Sequence, residues 1–323
     1  HNPDTKRRRG FMSAIVQVVL PVFGIILCGY LLGRFRILDG ASTDALNRFV
    51  YYVALPALFV ISMARVDIGE VLNWPFLAAM GGAQLATFVV AVAVARFAFP
   101  GRLGTLSLHG MTAVFANTGY MGIPLLQTAF GEAGVLPAVV ATVWHGAVVM
   151  GLGIVLLEAD FNRGGGALRL AGSVLGGIVR SPLILSAALG LALSALALPL
   201  PTAVANFLDI LAAAAAPCAL FAMGLFLVGR SVTSGAAEIG WLVVLKLAVQ
   251  PALTYVLAFQ VFDLDRLWAL SAVILSALPT GALVFILAQQ YGTYTQRATS
   301  AILISTVASV VTLSALFWGL GVG

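Results

Sequence analysis

The sequence predicts an all-α integral membrane protein with ten transmembrane helices in two five-helix repeats, the second inverted in the bilayer. Three observations carry this. The 323-residue chain is 61% hydrophobic and 9% charged, with a mean hydropathy of +1.06, more apolar than any soluble core of this size requires. Ten stretches reach the ~20 mostly apolar residues that a bilayer crossing takes. Two of them, one in each half, break in the middle. A break at membrane depth frees backbone N–H and C=O groups, which persist only when buried in protein or facing a wet cavity. Paired breaks in corresponding positions of two halves point to a transporter's substrate site.

The elements follow in order. Residues 1–11 do not begin with Met and carry Lys6, Arg7, Arg8 and Arg9 against Asp4. They are expected to be a non-native or disordered extension ahead of a start at Met12, and they stay outside fold reasoning. Spans are expected at 12–33, 45–64, 75–98, 106–130, 135–157, 181–199, 204–228, 239–260, 267–291 and 299–320. The longest polar stretch, 158–180, holds Asp160, Arg163 and three consecutive glycines from Gly164. As a linker over 159–180 it divides the spans into five and five. Five is odd, so a second half with the same fold must sit upside down. Pro56-Ala57-Leu58-Phe59 resembles Pro217-Cys218-Ala219-Leu220-Phe221. A shift of 161 residues aligns Thr118 with Pro279, Phe130 with Tyr291, Gly131 with Gly292 and His145 with Thr306.

Loop charge sets the expected sidedness. Ten arginines flank the loops after odd-numbered spans: Arg34, Arg36, Arg48, Arg96, Arg102, Arg163, Arg169, Arg180, Arg230 and Arg297. The other side carries Arg65 and Arg266. The arginine-rich side is therefore read as cytoplasmic and both termini as outside. Trp74, Trp241, Trp268 and Trp318, near span ends, read as interfacial anchors.

Composition also excludes functions. Of the net charge of +5, residues 1–11 supply +3, so no nucleic-acid partner is implied. Cys28 and Cys218 lie in apolar segments, and no CxxC or HxxxH spacing suggests a metal. No Walker motif provides for an ATP-driven pump. His109 and His145 lack the serine or paired carboxylates of an intramembrane hydrolase, so no enzymatic activity and no cofactor are expected. A channel or membrane receptor remains the alternative to a transporter.

The chemistry-bearing residues sit at the breaks and beside them. In span four, Asn117, Thr118, Gly119 and Tyr120 precede Gly122 and Pro124. Gly and Asn tolerate non-helical backbone, Pro124 removes a helical N–H, and the Asn117 amide can donate to a carboxylate. N–H groups opening a half-helix favour an anion. In span nine, Pro279, Thr280 and Gly281 form the opposing break. Either break could also be a packing kink. Lys246, seven residues into span eight with Gln250 at i+4, could neutralise a carboxylate, replace a coupling cation, or snorkel to the surface. His145 in span five and Gln84 in span three fall in the bundle carrying the breaks. His145 could take part in proton coupling or hydrogen-bond in a helix interface. Asp209 is expected at the outer interface and Glu132 in solvated loop.

Leu20-Pro21-Val22-Phe23, Gly29-Tyr30-Leu31-Leu32-Gly33 and the run from Leu46-Asn47-Arg48-Phe49 to Leu55-Pro56-Ala57-Leu58-Phe59 resemble the opening of the auxin efflux carrier family. Asn117 to Pro124 and Pro279-Thr280-Gly281 resemble that family's two crossover segments. The likeness runs from Met12 to the C-terminus. It implies that broken helices 4 and 9 cross, and that helices 1, 2, 6 and 7 (12–66 and 181–230) form a scaffold. Helices 3–5 and 8–10 (72–158 and 236–321) would form a transport domain that moves against it by an elevator mechanism. It also implies a small organic anion as substrate: auxin in plants, malonate or other carboxylates in bacteria. The short central loop is similar to that of bacterial members, which implies the inner (plasma) membrane. A homodimer is compatible with this reading.

Overall fold

The computed structural model describes residues 20–65, 73–161, 172, 176, 181–229 and 235–322. The expected extension at 1–11 and most of the expected linker lie outside them. The regular elements among these residues are helices. They are α1 (Leu20–Arg34), α2 (Gly40–Ala64), α3 (Trp74–Ala98) and α4 (Leu103–Val114). A π turn at Thr118–Gly122 leads into α5 (Ile123–Phe130). Helix α6 begins as Val135–Trp144 and passes through a π turn at His145–Val149 into Met150–Phe161. There follow α7 (Pro182–Ala195), α8 (Thr202–Leu227), α9 (Ala236–Val261), α10 (Arg266–Ser276), α11 (Leu283–Gln290) and α12 (Thr295–Leu320).

Six helical runs among the described residues are long and apolar enough to cross a membrane, so the chain is a multi-helix membrane protein. Helices α1, α7 and α10 are apolar but shorter. One of the six runs, Thr118–Phe161, joins parts of the fourth and fifth expected spans. It turns at Gly131, whose φ of +65° needs a glycine. Gly292, 161 residues on, has φ +63° and ends α11 in the same manner.

Helix starts follow from local chemistry. The Asp39 side chain accepts from the Ser42 N–H at 2.8 Å and opens α2. That bond and a second from the Ser42 hydroxyl hold the Asp39 carboxyl below its ordinary pKa. Asn73 caps α3 and Ser181 caps α7, each followed by a proline in the first turn. Asp265 caps α10 by accepting from Leu267 and Trp268.

Close backbone approach fixes two helix pairs. A Cβ on Gly29 of α1 would collide with the Phe221 carbonyl of α8, and one on Gly224 with the Ile26 carbonyl. On α7, a Cβ at Gly190 would come within 2.6 Å of the Val60 carbonyl of α2. Gly190 and Phe221 are Gly29 and Val60 shifted by the same 161 residues. Small residues let membrane helices approach in this way. A second set of contacts gathers α3, α4 and α6, with α3 also against α9 and α10, and α9 against α12. Several buried hydroxyls donate within their own helices, as Thr87 does to the Ala83 carbonyl at 2.8 Å and Thr142 to the Ala138 carbonyl at 2.7 Å.

Asp209 is half-exposed and forms a two-pronged ion pair with Arg65, at 2.9 and 2.7 Å, between α8 and the end of α2. Glu132 is exposed in the turn before α6 and accepts from Gln127.

Candidate functional site

The two breaks meet. Between α4 and the π turn the chain is extended at Phe115 and Ala116, and Ala116 pairs antiparallel with Thr280. The Asn117 N–H donates to the Pro279 carbonyl at 3.0 Å, and the Gly281 N–H donates to the Phe115 carbonyl at 2.9 Å. Each interruption thus supplies hydrogen-bond partners that the other lost on leaving helical geometry. The backbones approach closely at Gly281, where a Cβ would lie 3.0 Å from the Phe115 ring and 3.2 Å from the Ala116 carbonyl, so a side chain there would press on both. A Cβ on Gly122 would stand 2.8 Å from a methyl of Leu275. Pro124 is buried in the first turn of α5.

One helix caps both half-helices that run into the breaks. Lys246 is fully buried, and its Nζ donates to the carbonyl of Ser276, the last residue of α10, at 2.5 Å. Gln250, one turn along on the same face of α9, donates to the carbonyl of Val114, the last residue of α4, at 3.4 Å. Helix C-termini carry orphan carbonyls and partial negative charge, so an ammonium ending there is electrostatically matched. Its contact is with backbone inside the protein, the opposite of a snorkelling lysine. Thr280 completes the set: its hydroxyl donates to the Thr112 carbonyl at 2.8 Å, and its N–H to Ser305 at 3.1 Å.

On the other side of the crossing lies a cavity of about 1050 Å³. Asn117, Thr118, Gly119, Tyr120 and Gly281 line it, as does His145. Pro279, Thr280, Lys246, Gln250 and Gln84 are not on its wall; the first four stand behind the crossing, where the hydrogen bonds just described hold it. The Thr118 N–H donates to the Ala116 carbonyl at 2.9 Å; the N–H groups of Gly119 and Tyr120 after it, and that of Leu283 at the start of α11, lack helical acceptors by geometry, and the residues bearing them line the cavity. Asn117 is 5% exposed; its amide N lies 3.8 Å from the Met223 sulfur of α8.

His145 is held in a chain that fixes its tautomer. The Trp144 indole N–H donates to Gln84 Oε1 at 2.9 Å, and Gln84 Nε2 donates to His145 Nε2 at 2.7 Å. His145 Nδ1 then donates to the Ala141 carbonyl at 2.8 Å. The ring is therefore neutral, with its proton on Nδ1. A second proton on Nε2 would face the Gln84 amide and require it to flip, leaving the Trp144 N–H without its acceptor.

Two features escaped sequence reasoning. One is a buried polar cluster between α4, α9 and α12. His109 Nδ1 lies 2.9 Å from Glu238 Oε1, the Tyr294 hydroxyl donates to the same oxygen at 2.6 Å, and Arg297 reaches Glu238 Oε2 at 3.1 Å. Tyr294 adopts a φ of +62°, unusual for a bulky residue. With two donors on Oε1 and a guanidinium on Oε2, the carboxylate is satisfied, so the cluster ties three helices together. The other is Asp160, buried and accepting from the Gly104 N–H at 3.1 Å at the start of α4, with Arg102 at 3.6 Å. Among the described residues, no group of three or more His, Cys, Asp or Glu could hold a metal ion.

Comparison with known proteins adds a family. A family model described as membrane transport protein matches residues 14–164 and 166–318. A putative malonate transporter of Rhizobium meliloti is 34% identical over 311 residues, covering 95% of this chain and 96% of that one. The uncharacterized transporter YfdV of Escherichia coli is 26% identical over 314 residues, covering 93% and 96%. The lysosomal cholesterol signaling protein of Mus musculus is 26% identical over 328 residues, 95% of this chain but 37% of that protein.

Proposed function

The chain belongs to the membrane transport protein family, that of the auxin efflux carriers, and on that premise we propose that it carries small organic anions of the carboxylate class by alternating access. The observation that carries this reading is the cavity at the crossing. Asn117 and the opening N–H groups of two half-helices line one wall, and Asp44, on α2, is the one acidic residue among the described residues lining the cavity. Such a wall favours a carboxylate through donors and helix dipoles without a fixed counter-charge. Broken helices whose N-termini face an anionic substrate group are a recurrent transporter device.

In this reading the chain has ten membrane helices, α4 with α5 and α10 with α11 forming the two crossed ones. Two five-helix halves are inverted relative to each other. The matched glycine contacts, Gly29 on Phe221 and Gly190 on Val60, support that repeat. Helices α1, α2, α7 and α8 serve as the scaffold, supported by the close α1–α8 and α2–α7 packing. The helices around the crossing move against them as one body. The cavity reaches Gly40, Gly229 and Gln289, near the arginine-rich loops, so in this reading the conformation opens to the cytoplasm. Lys246 acts behind the site as a built-in cation, and His145 as a fixed neutral ring rather than a proton carrier. The relative named as a malonate transporter makes malonate the first substrate to try.

The test is transport by the purified protein in liposomes, with labelled malonate, other carboxylates and neutral analogues. Saturable uptake and counterflow of carboxylates are expected. Flux that rises linearly with concentration and shows no counterflow would favour a channel. Transport of neutral analogues alone would overturn the anion reading.

A further inference from the structure

Arg48 does not sit at a helix end. The Asp39 cap starts α2 at Gly40, so Arg48 lies about 12 Å along the helix at ~1.5 Å per residue. It shares a row with Asp44 and Tyr52 at i±4, and all three line the cavity. The π turn Val50–Ala54 just beyond it packs on the same stretch of α8, Ala215–Leu227, as the turn Thr118–Gly122 of the crossing. Arg48 therefore shares one cavity with Asn117 to Tyr120 and lies on the side of it that reaches Gly40. Among the described residues lining this cavity, it is the one with a permanent positive charge, and Asp44 is the one carboxylate. Arg48 makes no ion pair among the described residues.

The crossing offers one carboxylate a set of neutral donors. A dianion placed there would keep a second charge that this wall cannot match. The guanidinium of Arg48, on α2, is the remaining group able to take it, through two parallel N–H···O bonds. We propose that Arg48 binds the second carboxylate of a short dicarboxylate and sets the preference for dianions over monoanions. This inference rests on the carboxylate reading of the cavity.

The experiment compares malonate with malonamate, which has nearly the same shape but one carboxylate. Competition is measured on the purified protein at neutral pH. The parent should prefer malonate by about tenfold or more, the scale of one charge-assisted contact. Arg48→Gln should erase that preference while leaving malonamate affinity within about twofold, and Arg48→Lys should restore part of it. An undiminished preference in Arg48→Gln would overturn the role of Arg48 while leaving the carboxylate reading intact. Absence of binding by both compounds to the parent would instead bring down the carboxylate reading, and this inference with it.

Discussion

Asn117→Asp changes one atom type and no volume, yet it places a carboxylate where the cavity is arranged to receive one. Asn117 precedes the turn Thr118–Gly122, and its carbonyl already accepts the Met121 and Gly122 N–H groups at 3.2 and 3.0 Å. The backbone needs no adjustment, and a negative charge beside a half-helix N-terminus is favourable for folding by about 0.3–1 kcal/mol. The substrate meets the opposite sign. Two carboxylates about 4 Å apart at an effective dielectric near 20 repel by about 4 kcal/mol, close to a thousandfold in affinity. Protonation of the new group relieves this, so the loss should be complete near pH 8 and shrink as the pH falls toward the carboxylate's pKa. The assay is equilibrium binding of labelled malonate to purified protein, beside a thermal-stability scan. Asn117→Ala, which removes a donor without adding charge, should cost about tenfold. Parental affinity in Asn117→Asp at pH 8, in a protein that melts as the parent does, would refute the placement of the anion beside this residue.

Lys246→Met should lower transport at least tenfold while leaving the yield of folded protein near parental. The unpaired Ser276 carbonyl costs about 1–3 kcal/mol, but the buried ammonium no longer has to be desolvated; unchanged turnover would show that the cap is idle. Gly29→Leu and Gly190→Leu should each destabilise the protein by several degrees or abolish insertion, because a side chain must displace the Phe221 or Val60 backbone. Parental melting of either would contradict the close helix packing. In a background lacking Cys28 and Cys218, Glu132→Cys should react with an impermeant thiol reagent in intact cells and Ala41→Cys only after permeabilisation. The reverse pattern would invert the arginine-based orientation.

Much of the site could be read from the chain, and the remainder could not for identifiable reasons. Asn117 to Pro124 and Pro279 to Gly281 announce their breaks through residues that helices tolerate poorly. Gly131 and Gly292 sit at matching turns because a positive φ leaves little choice of residue. Lys246 was ambiguous: whether it snorkels or caps depends on where α10 stops, 30 residues away. His109, Glu238 and Tyr294 meet across 129 and 56 residues, distances over which no periodicity speaks. Arg48 is hard to place for a simpler reason: hydropathy alone starts its span at residue 45, whereas the Asp39–Ser42 cap begins the helix at Gly40. The π turns within α2 (Val50–Ala54), α6 (His145–Val149) and α9 (Leu245–Val249 and Leu257–Val261) have no evident signature in composition.

Lys246 and Gln250 stand on one face of one helix, and each holds the end of a different half-helix. The two sides of the binding wall are thereby fastened to a common spar and cannot part without breaking at least one of these bonds. A ligand gripped by such a wall meets the same donors whichever aqueous compartment it came from. Its intrinsic dissociation constant from the wall should then be alike on the two faces of the membrane. Any net accumulation must come from the electrochemical gradients across the bilayer, with the site itself acting as an impartial carrier that imposes no direction of its own.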